Sequence, residues 1–393
     1  MDTPHIDKIW IYRNFNMGTE LDIAGEFIYD GIHTLNQINT VNEEAQLFSF
    51  LYHTAVGIER LQKIIIVLFE VIHWEEKDAF EESLKTHSHM SLNNRIKKAT
   101  NIQLNSRENA FLQMLNNFYQ SARYDRFNLI STSTKERELF CDYLNKQIPK
   151  EKIEKHIFTN HIRVTPYVKE IIGRVIGSLS KKYFKLVHEG CNKTGTFTYE
   201  LRPGSKAEKV FLSTYNNNSL QIQIKTEGIA LKELLVFLRN TKEKHPLLHY
   251  MENIKPLDFD IALLNEYINE LSKGTVPQSL IDEIDTLYEE NHYFNNREEE
   301  INAIGNTSVD FDFYPIHQCY LLMDNLLKEN LNCVEFANKF IDVLDLIDED
   351  YGFDKLNGAS DICHLFLKQE INSEVFCDKI KSYFSKLKKA FNY

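Results

Sequence analysis

The stretch EEAQLFSFLYHTAVGIERLQKIIIVLFEVIHW, residues 43–74, decides the fold class. Leu47, Leu51, Ile58, Leu61, Ile65, Leu68 and Ile72 recur in it at spacings of three, four and seven. That is one apolar stripe along about seven turns of helix. Its longest unbroken apolar run, Ile64 to Phe69, lies between Lys63 and Glu70 and falls far short of the ~20 residues a bilayer-crossing helix needs. The same period returns downstream. Leu92–Ala99 reads as a second helix, and Phe111, Leu115, Phe118 and Ala122 mark a third. Ser133-Thr134-Lys135-Glu136 has capping-box spacing ahead of a helix carrying Leu139, Phe140, Tyr143 and Leu144. Further helices are expected over Tyr167–Ser180, Leu231–Arg239 and Asp258–Leu271. Another starts at an Asn332 cap, and the last covers Ser373–Phe391, with Lys386, Lys388 and Lys389 suited to its end.

Two places break the helical pattern. Ile9-Trp10-Ile11-Tyr12 reads as a short strand or an extended arm, with helix following over Leu21–Tyr29, weakened by Gly25. Thr196–Leu201 and Leu220–Ile224 alternate apolar and polar residues, the second after the turn-forming Asn216-Asn217-Asn218. The expected fold is therefore mainly α, a multi-helix bundle with a small inserted β element. Three regions are expected: a helical domain with an N-terminal arm over 1–150, a mixed region holding the β hairpin over 151–295, and a C-terminal helical region over 315–393. The polar, acidic stretch Asn295–Pro315 serves as the linker.

Composition agrees with a packed helical chain. Of 393 residues, 43% are apolar and 26% charged, while only 14 Gly and 8 Pro exclude collagen-like, disordered and turn-rich sandwich classes. The six cysteines, Cys141, Cys191, Cys319, Cys333, Cys363 and Cys377, are scattered with no CxxC pair, as expected of reduced thiols rather than a disulfide framework or a thiolate zinc site. Met1–His5 has neither a basic nor an apolar leader region, so a cytoplasmic location is expected, with no membrane partner.

Charge is distributed unevenly. The net charge is −12, yet Lys85–Lys209 holds 23 Lys and Arg against 11 Asp and Glu, while Glu252–Asp312 holds 15 acids against three bases. Gathered on one face, the basic residues would bind a polyanion such as RNA. Alternatively, the two regions complement each other within the molecule, or the acidic segment 252–312 meets a protein partner. Lys181-Lys182-Tyr183-Phe184-Lys185 has the same two readings in miniature: a platform for single-stranded nucleic acid, or a half-buried amphipathic segment.

The span from Phe48 to Phe127 carries Glu59, Arg60 and Lys63 on the long helix, the connection His87-Ser88-His89-Met90-Ser91-Leu92, and a helix ending Tyr119-Gln120-Ser121-Ala122-Arg123-Tyr124-Asp125. This succession of long helices with polar ends resembles the HEPN superfamily (higher eukaryotes and prokaryotes nucleotide-binding). The resemblance implies a helical, often dimeric RNA- or nucleotide-binding protein, in many cases a metal-independent endoribonuclease of toxin–antitoxin or antiphage systems. It also implies an Arg followed, about four to six residues on, by a His, the imidazole moving a proton and the guanidinium holding a phosphate. Arg123 is followed by Tyr124-Asp125-Arg126-Phe127-Asn128-Leu129 and departs from that pattern, so Arg123 and Arg126 are expected to contact phosphate rather than to catalyse. The spacing is met at Arg239-Asn240-Thr241-Lys242-Glu243-Lys244-His245. Arg239 and His245 are thus the catalytic candidates, against a solvated helix end that Pro246 closes.

His53, His73, His87 and His89 are placed so that they converge, but no thiolate spacing or HExxH accompanies them, and neither a metal nor a cofactor is expected. Glu59 and Lys63, one turn apart, read as a helical ion pair. No Walker loop, GxGxxG, GxSxG or EF-hand loop is present, and Asp348–Gly352 reads as an acidic turn. Two functions stand: a HEPN-like RNA-binding protein acting as a ribonuclease, with Lys181, Lys182 and Lys185 as additional contacts, or a non-catalytic helical scaffold that binds partners.

Overall fold

The computed structural model describes residues 7–131, 135–157, 159–212, 220–290, 297–347 and 356–391. They are helical in the main, with no strand among them; only isolated bridges pair Thr40 with Arg163 and Lys155 with Ile162. The chain forms two compact units, Met1–Leu231 with Ser272–Gly274, and Lys232–Leu271 with Thr275–Tyr393.

In the first unit α1 (Lys8–Ile11) passes through a π turn, Tyr12–Asn16, into α2 (Met17–Gln37). Then come α3 (Glu44–Phe69), α4 (Lys77–Ser83), α5 (His89–Ala99) and α6 (Ser106–Asn117). A second π turn, Phe118–Ala122, follows α6. The unit continues with α7 (Lys135–Gln147), α8 (Pro166–Thr194), α9 (Lys206–Phe211) and the first half of α10 (Leu220–Asn240). The long helix expected from residues 43–74 is α3, and Leu47, Leu51, Ile58, Leu61, Ile65 and Leu68 are all buried in it.

Small residues set how closely α2 and α3 cross. A Cβ on Gly57 would come within 2.6 Å of Ile28 Cγ1, and one on Gly31 within 2.5 Å of Thr54 Oγ1. Gly25, which weakens the helix locally, admits α9: a Cβ there would lie 2.3 Å from Ala207 Cα. The helix ends are closed by side chains. Thr165 caps α8 ahead of Pro166, Ser88 caps α5, and Asn105 and Glu108 form a capping box on α6. Arg13, from the first π turn, donates to the Val67 and Glu70 carbonyls at 3.0 and 2.8 Å and so closes the C-terminal end of α3.

The second unit holds the rest of α10, then α11 (Pro246–Asn253), α12 (Leu264–Leu271), α13 (Gln278–Glu290), α14 (Arg297–Ala303), α15 (Tyr314–Leu327), α16 (Cys333–Leu344), α17 (Ala359–Leu367) and α18 (Ser373–Phe391). Its core gathers Cys319, Met323, Phe336, Phe340, Phe376, Ile380 and Leu387. Asn332 caps α16 through the Glu335 amide at 2.9 Å, as its spacing predicts. The six cysteines are free; the Cys333 and Cys377 sulfurs lie 3.7 Å apart.

Several expectations need correction. Ile9–Tyr12 is helical. Leu220–Ile224 opens α10, because Leu220 and Ile224, both buried, are also one helical turn apart. Thr196–Leu201 is an irregular connection whose Thr196 and Thr198 are buried and whose Phe197 amide donates to Asn14 at 2.6 Å. A boundary near residue 150 would cut one core, since Val168, Ile172, Leu179 and Tyr183 of α8 pack in the same cluster as α3. Arg297–Ala303, within the stretch read as linker, is helix. The Ser133 capping box, the Asn216–Asn218 turn and the Asp348–Gly352 turn fall wholly or partly outside the described residues. Among the described residues no helix is long and apolar enough to cross a membrane.

Phe118 is fully buried and packs edge-on against Phe48 at 5.4 Å. Phe118→Ala is expected to cost about 3–5 kcal/mol in chemical denaturation. A loss under about 1 kcal/mol would show that the π turn does not depend on this anchor.

Candidate active site

Glu59 is a carboxylate set in the buried length of α3, its side chain 8% exposed. Burying a charge there requires partners. Lys63, one turn on, donates to it at 2.6 Å, and His87 Nδ1 lies 3.2 Å from each of its oxygens. A carboxylate accepting from Nδ1 makes that nitrogen the protonated one and leaves the Nε2 lone pair free. The His87 side chain is 52% exposed, so that lone pair is open to a ligand. The result is a base of fixed tautomer and orientation, backed by a buried acid.

A buried polar network holds His87 in place. Two residues on, His89 is fully buried at the start of α5, its Nδ1 3.1 Å from Gln62 Oε1. The Gln62 amide nitrogen donates to the His89 carbonyl and to Tyr183 Oη, both at 3.1 Å, and Tyr183 donates to Asn93 at 3.1 Å. Gln62 lies between Glu59 and Lys63 on α3, so the residues that fix the 87–89 turn and those that receive His87 share one helical turn. Ser88 donates to Asn116 Oδ1 at 3.0 Å, and Asn116 donates to Gln120 at 3.3 Å, which joins the turn to the second π turn.

That π turn brings two more groups. The Tyr119 ring lies 5.1 Å from the His87 ring and 6.2 Å from Tyr52, on which it stacks. Arg123 lies with its Cζ 4.0 Å from the Tyr119 ring centre and 4.4 Å from that of Tyr124. Burial, and then the Glu59 charge, push the Tyr119 phenol above its ordinary value, so it stays a donor. π turns frequently mark functional sites because the extra residue re-aims the side chains that follow.

The residues singled out from sequence fare differently. Arg123 joins this cluster. Arg126 pairs with Glu136, which is buried, and with Glu44 at 3.3 Å. Lys182 pairs with Glu108 at 2.7 Å, and Lys185 lies 3.9 Å from Glu189. Lys181 is partly buried, which lowers its pKa. Tyr183 is in the core and Phe184 stacks on Phe211 at 5.0 Å, so neither aromatic side chain of that segment is turned out for a strand.

Arg239 is exposed in the last turn of α10. His245 caps α11, its Nδ1 accepting from the Leu247 amide at 3.2 Å. That lone pair is spent on the backbone, which leaves Nε2 as the protonated nitrogen, the opposite tautomer from His87. His53 bonds Ser49 at 3.1 Å and lies against Phe27, apart from the Glu59 contacts. Among the described residues, no three His, Cys, Asp or Glu side chains are grouped so as to hold a metal ion.

Sequence reading found the Glu59–Lys63 ion pair but not its meeting with His87, and gave no role to Gln62 or Tyr119. The available signal was a carboxylate inside an apolar stripe. Compared with protein-family models, curated proteins and solved structures, the chain matches none.

Burial holds the His89 pKa down to about 4, against an ordinary 6.5. The unfolded chain therefore takes up this proton first. Stability is complete above about pH 6.5 and is lost as pH falls toward 4, by roughly 3 kcal/mol from this group. His89→Gln should flatten that loss in urea melts between pH 7 and pH 4; an unchanged slope would show that His89 does not control it.

Proposed function

We propose that the chain is a HEPN-like RNA-binding protein and a metal-independent endoribonuclease, with the chemistry at Glu59, Lys63, His87 and Arg123. The observation that carries this is the contact of His87 Nδ1 with the buried Glu59 carboxylate, which leaves Nε2 as a free base. In the reaction His87 Nε2 takes the proton of a ribose 2′-hydroxyl. The 2′-oxygen forms its bond to phosphorus as the P–O5′ bond breaks. The leaving 5′-oxygen takes a proton from water, and His87 later releases its own to solvent. The products carry a 2′,3′-cyclic phosphate and a 5′-hydroxyl.

Lys63 and Arg123 supply positive charge for the phosphoryl oxygens, and Tyr119 supplies a ring face and a donor. The motif that sequence lacks after Arg123 is completed from another segment in this reading, since His87 and Arg123 both lie against the Tyr119 ring. The Nδ1 lone pair of His245 is spent on the Leu247 amide, which favours this site over Arg239 and His245. A groove running along the basic segment is not required: Arg95, Arg126, Lys135, Lys182, Lys206 and Lys209 are each paired with a carboxylate of the same unit. Grip on the strand is local.

The test is single-stranded RNA incubated with the full chain in the presence of a chelator. Cleavage to 2′,3′-cyclic ends is expected. It should fall by at least about 100-fold in His87→Ala at an unchanged thermal midpoint, and remain in His245→Ala. Full activity in His87→Ala would remove the assignment. Absence of both cleavage and a salt-sensitive gel shift would leave the scaffold reading.

A further inference from the structure

Lys63, the partner of Glu59, also lines a cavity of about 470 Å³ whose walls include Tyr12, Glu20, Arg60, Ile64 and Val67. The volume is that of a small-molecule site, ~300–1,000 Å³. Lys63 belongs to both places: its ammonium holds Glu59, and its side chain lines the cavity. Ile64 and Val67 give an apolar floor, each about 1% exposed. The polar wall is an ion pair, Arg60 with Glu20. Glu20 is 36% exposed on its side chain and has further acceptor capacity, while Arg60 Nε is buried without a hydrogen-bond partner. Tyr12, on the first π turn, forms the rim; burial and then the Glu81 and Glu20 charges raise its pKa and keep it a donor.

We propose that this cavity is a guanine subsite, taking the base of the nucleotide whose 2′-hydroxyl reaches His87. The inference rests on the nucleolytic reading and names the base it selects. Guanine presents two adjacent donors, N1–H and N2–H, which one carboxylate accepts as a pair, and O6 and N7 acceptors, which favour Arg or Lys. The cavity offers that combination, the Glu20 carboxylate and the Arg60 guanidinium over an apolar floor, while the Lys63 ammonium stays with Glu59 and the phosphate. Adenine lacks the adjacent donor pair. A pyrimidine fills less of the volume and likewise lacks the adjacent donor pair.

The test maps the cuts made by the full chain in an RNA of mixed sequence and, separately, measures guanosine and adenosine 3′-monophosphate binding by calorimetry. Cleavage after G at least about 10-fold above cleavage after A is expected, with guanosine 3′-monophosphate bound at least about 10-fold more tightly than the adenosine compound. Glu20→Gln should bring both ratios close to one. Arg60→Gln, the second variant should the first not fold, should do the same. Even cutting across the four bases, equal affinity for the two nucleotides, or ratios unmoved in both folded variants would overturn the subsite. Cutting without base preference would keep the nucleolytic reading and reject the subsite. Selective binding without cutting would do the reverse.

Discussion

The hydrogen bonds of Gln62 are the constraint on which the chemistry proposed for the first unit rests. Its amide reaches the His89 ring, the His89 carbonyl and the Tyr183 hydroxyl, and so ties α3, α5 and α8 together within the core. Each group is costly to leave unpaired there, so the register between α3 and the start of α5 has little freedom. His87 inherits that rigidity through the two peptide units that separate it from His89. A base on a surface loop would otherwise wander; this one is held against a buried acid by a core it does not enter.

Electrostatics follow the same local logic. Part of the positive excess between Lys85 and Lys209 is met inside the first unit by carboxylates from outside that stretch, among them Asp22, Glu26 and Asp30 of α2 and Glu44 of α3. Lys206, for instance, reaches both Glu26 and Asp30, and Arg95 makes paired contacts with Glu70. Charge asymmetry along a sequence is thus a poor guide to charge asymmetry in space. Helices far apart in the chain lie side by side and trade charges across their faces. The cations at the candidate site are Lys63, beside the Glu59 carboxylate, and Arg123, over the Tyr119 ring.

How far the sequence could be read depended on how far each feature reaches. The α3 stripe is periodic over its whole length, and its burial followed as its spacing requires. The Asn332 cap acts within a single turn, which a local pattern can carry. The alternation at Leu220–Ile224 failed because five residues fit a strand and one helical turn equally well, and only packing chooses between them. Gly25 was legible as a weak point in a helix but not as the place where α9 approaches. The site was hidden for a similar reason. Glu59 and Lys63 are neighbours by spacing, whereas Glu59 and His87 meet across 28 positions through a turn whose geometry the core decides. An arginine–histidine spacing points to residues 239–245, because a motif search sees only one segment at a time.

The wide turn at Phe118–Ala122 has one more effect. It amounts to a single surplus residue in an otherwise regular spiral, and a surplus residue advances everything after it by about 100° around the axis. Tyr119 and Arg123, four residues apart, share a face in a regular helix as they do here; what the surplus residue shifts is the side of α6 from which Arg123 leaves. The number of residues between Asn117 and Arg123 matters here as much as their identity, and the direction of the guanidinium is in effect a matter of counting.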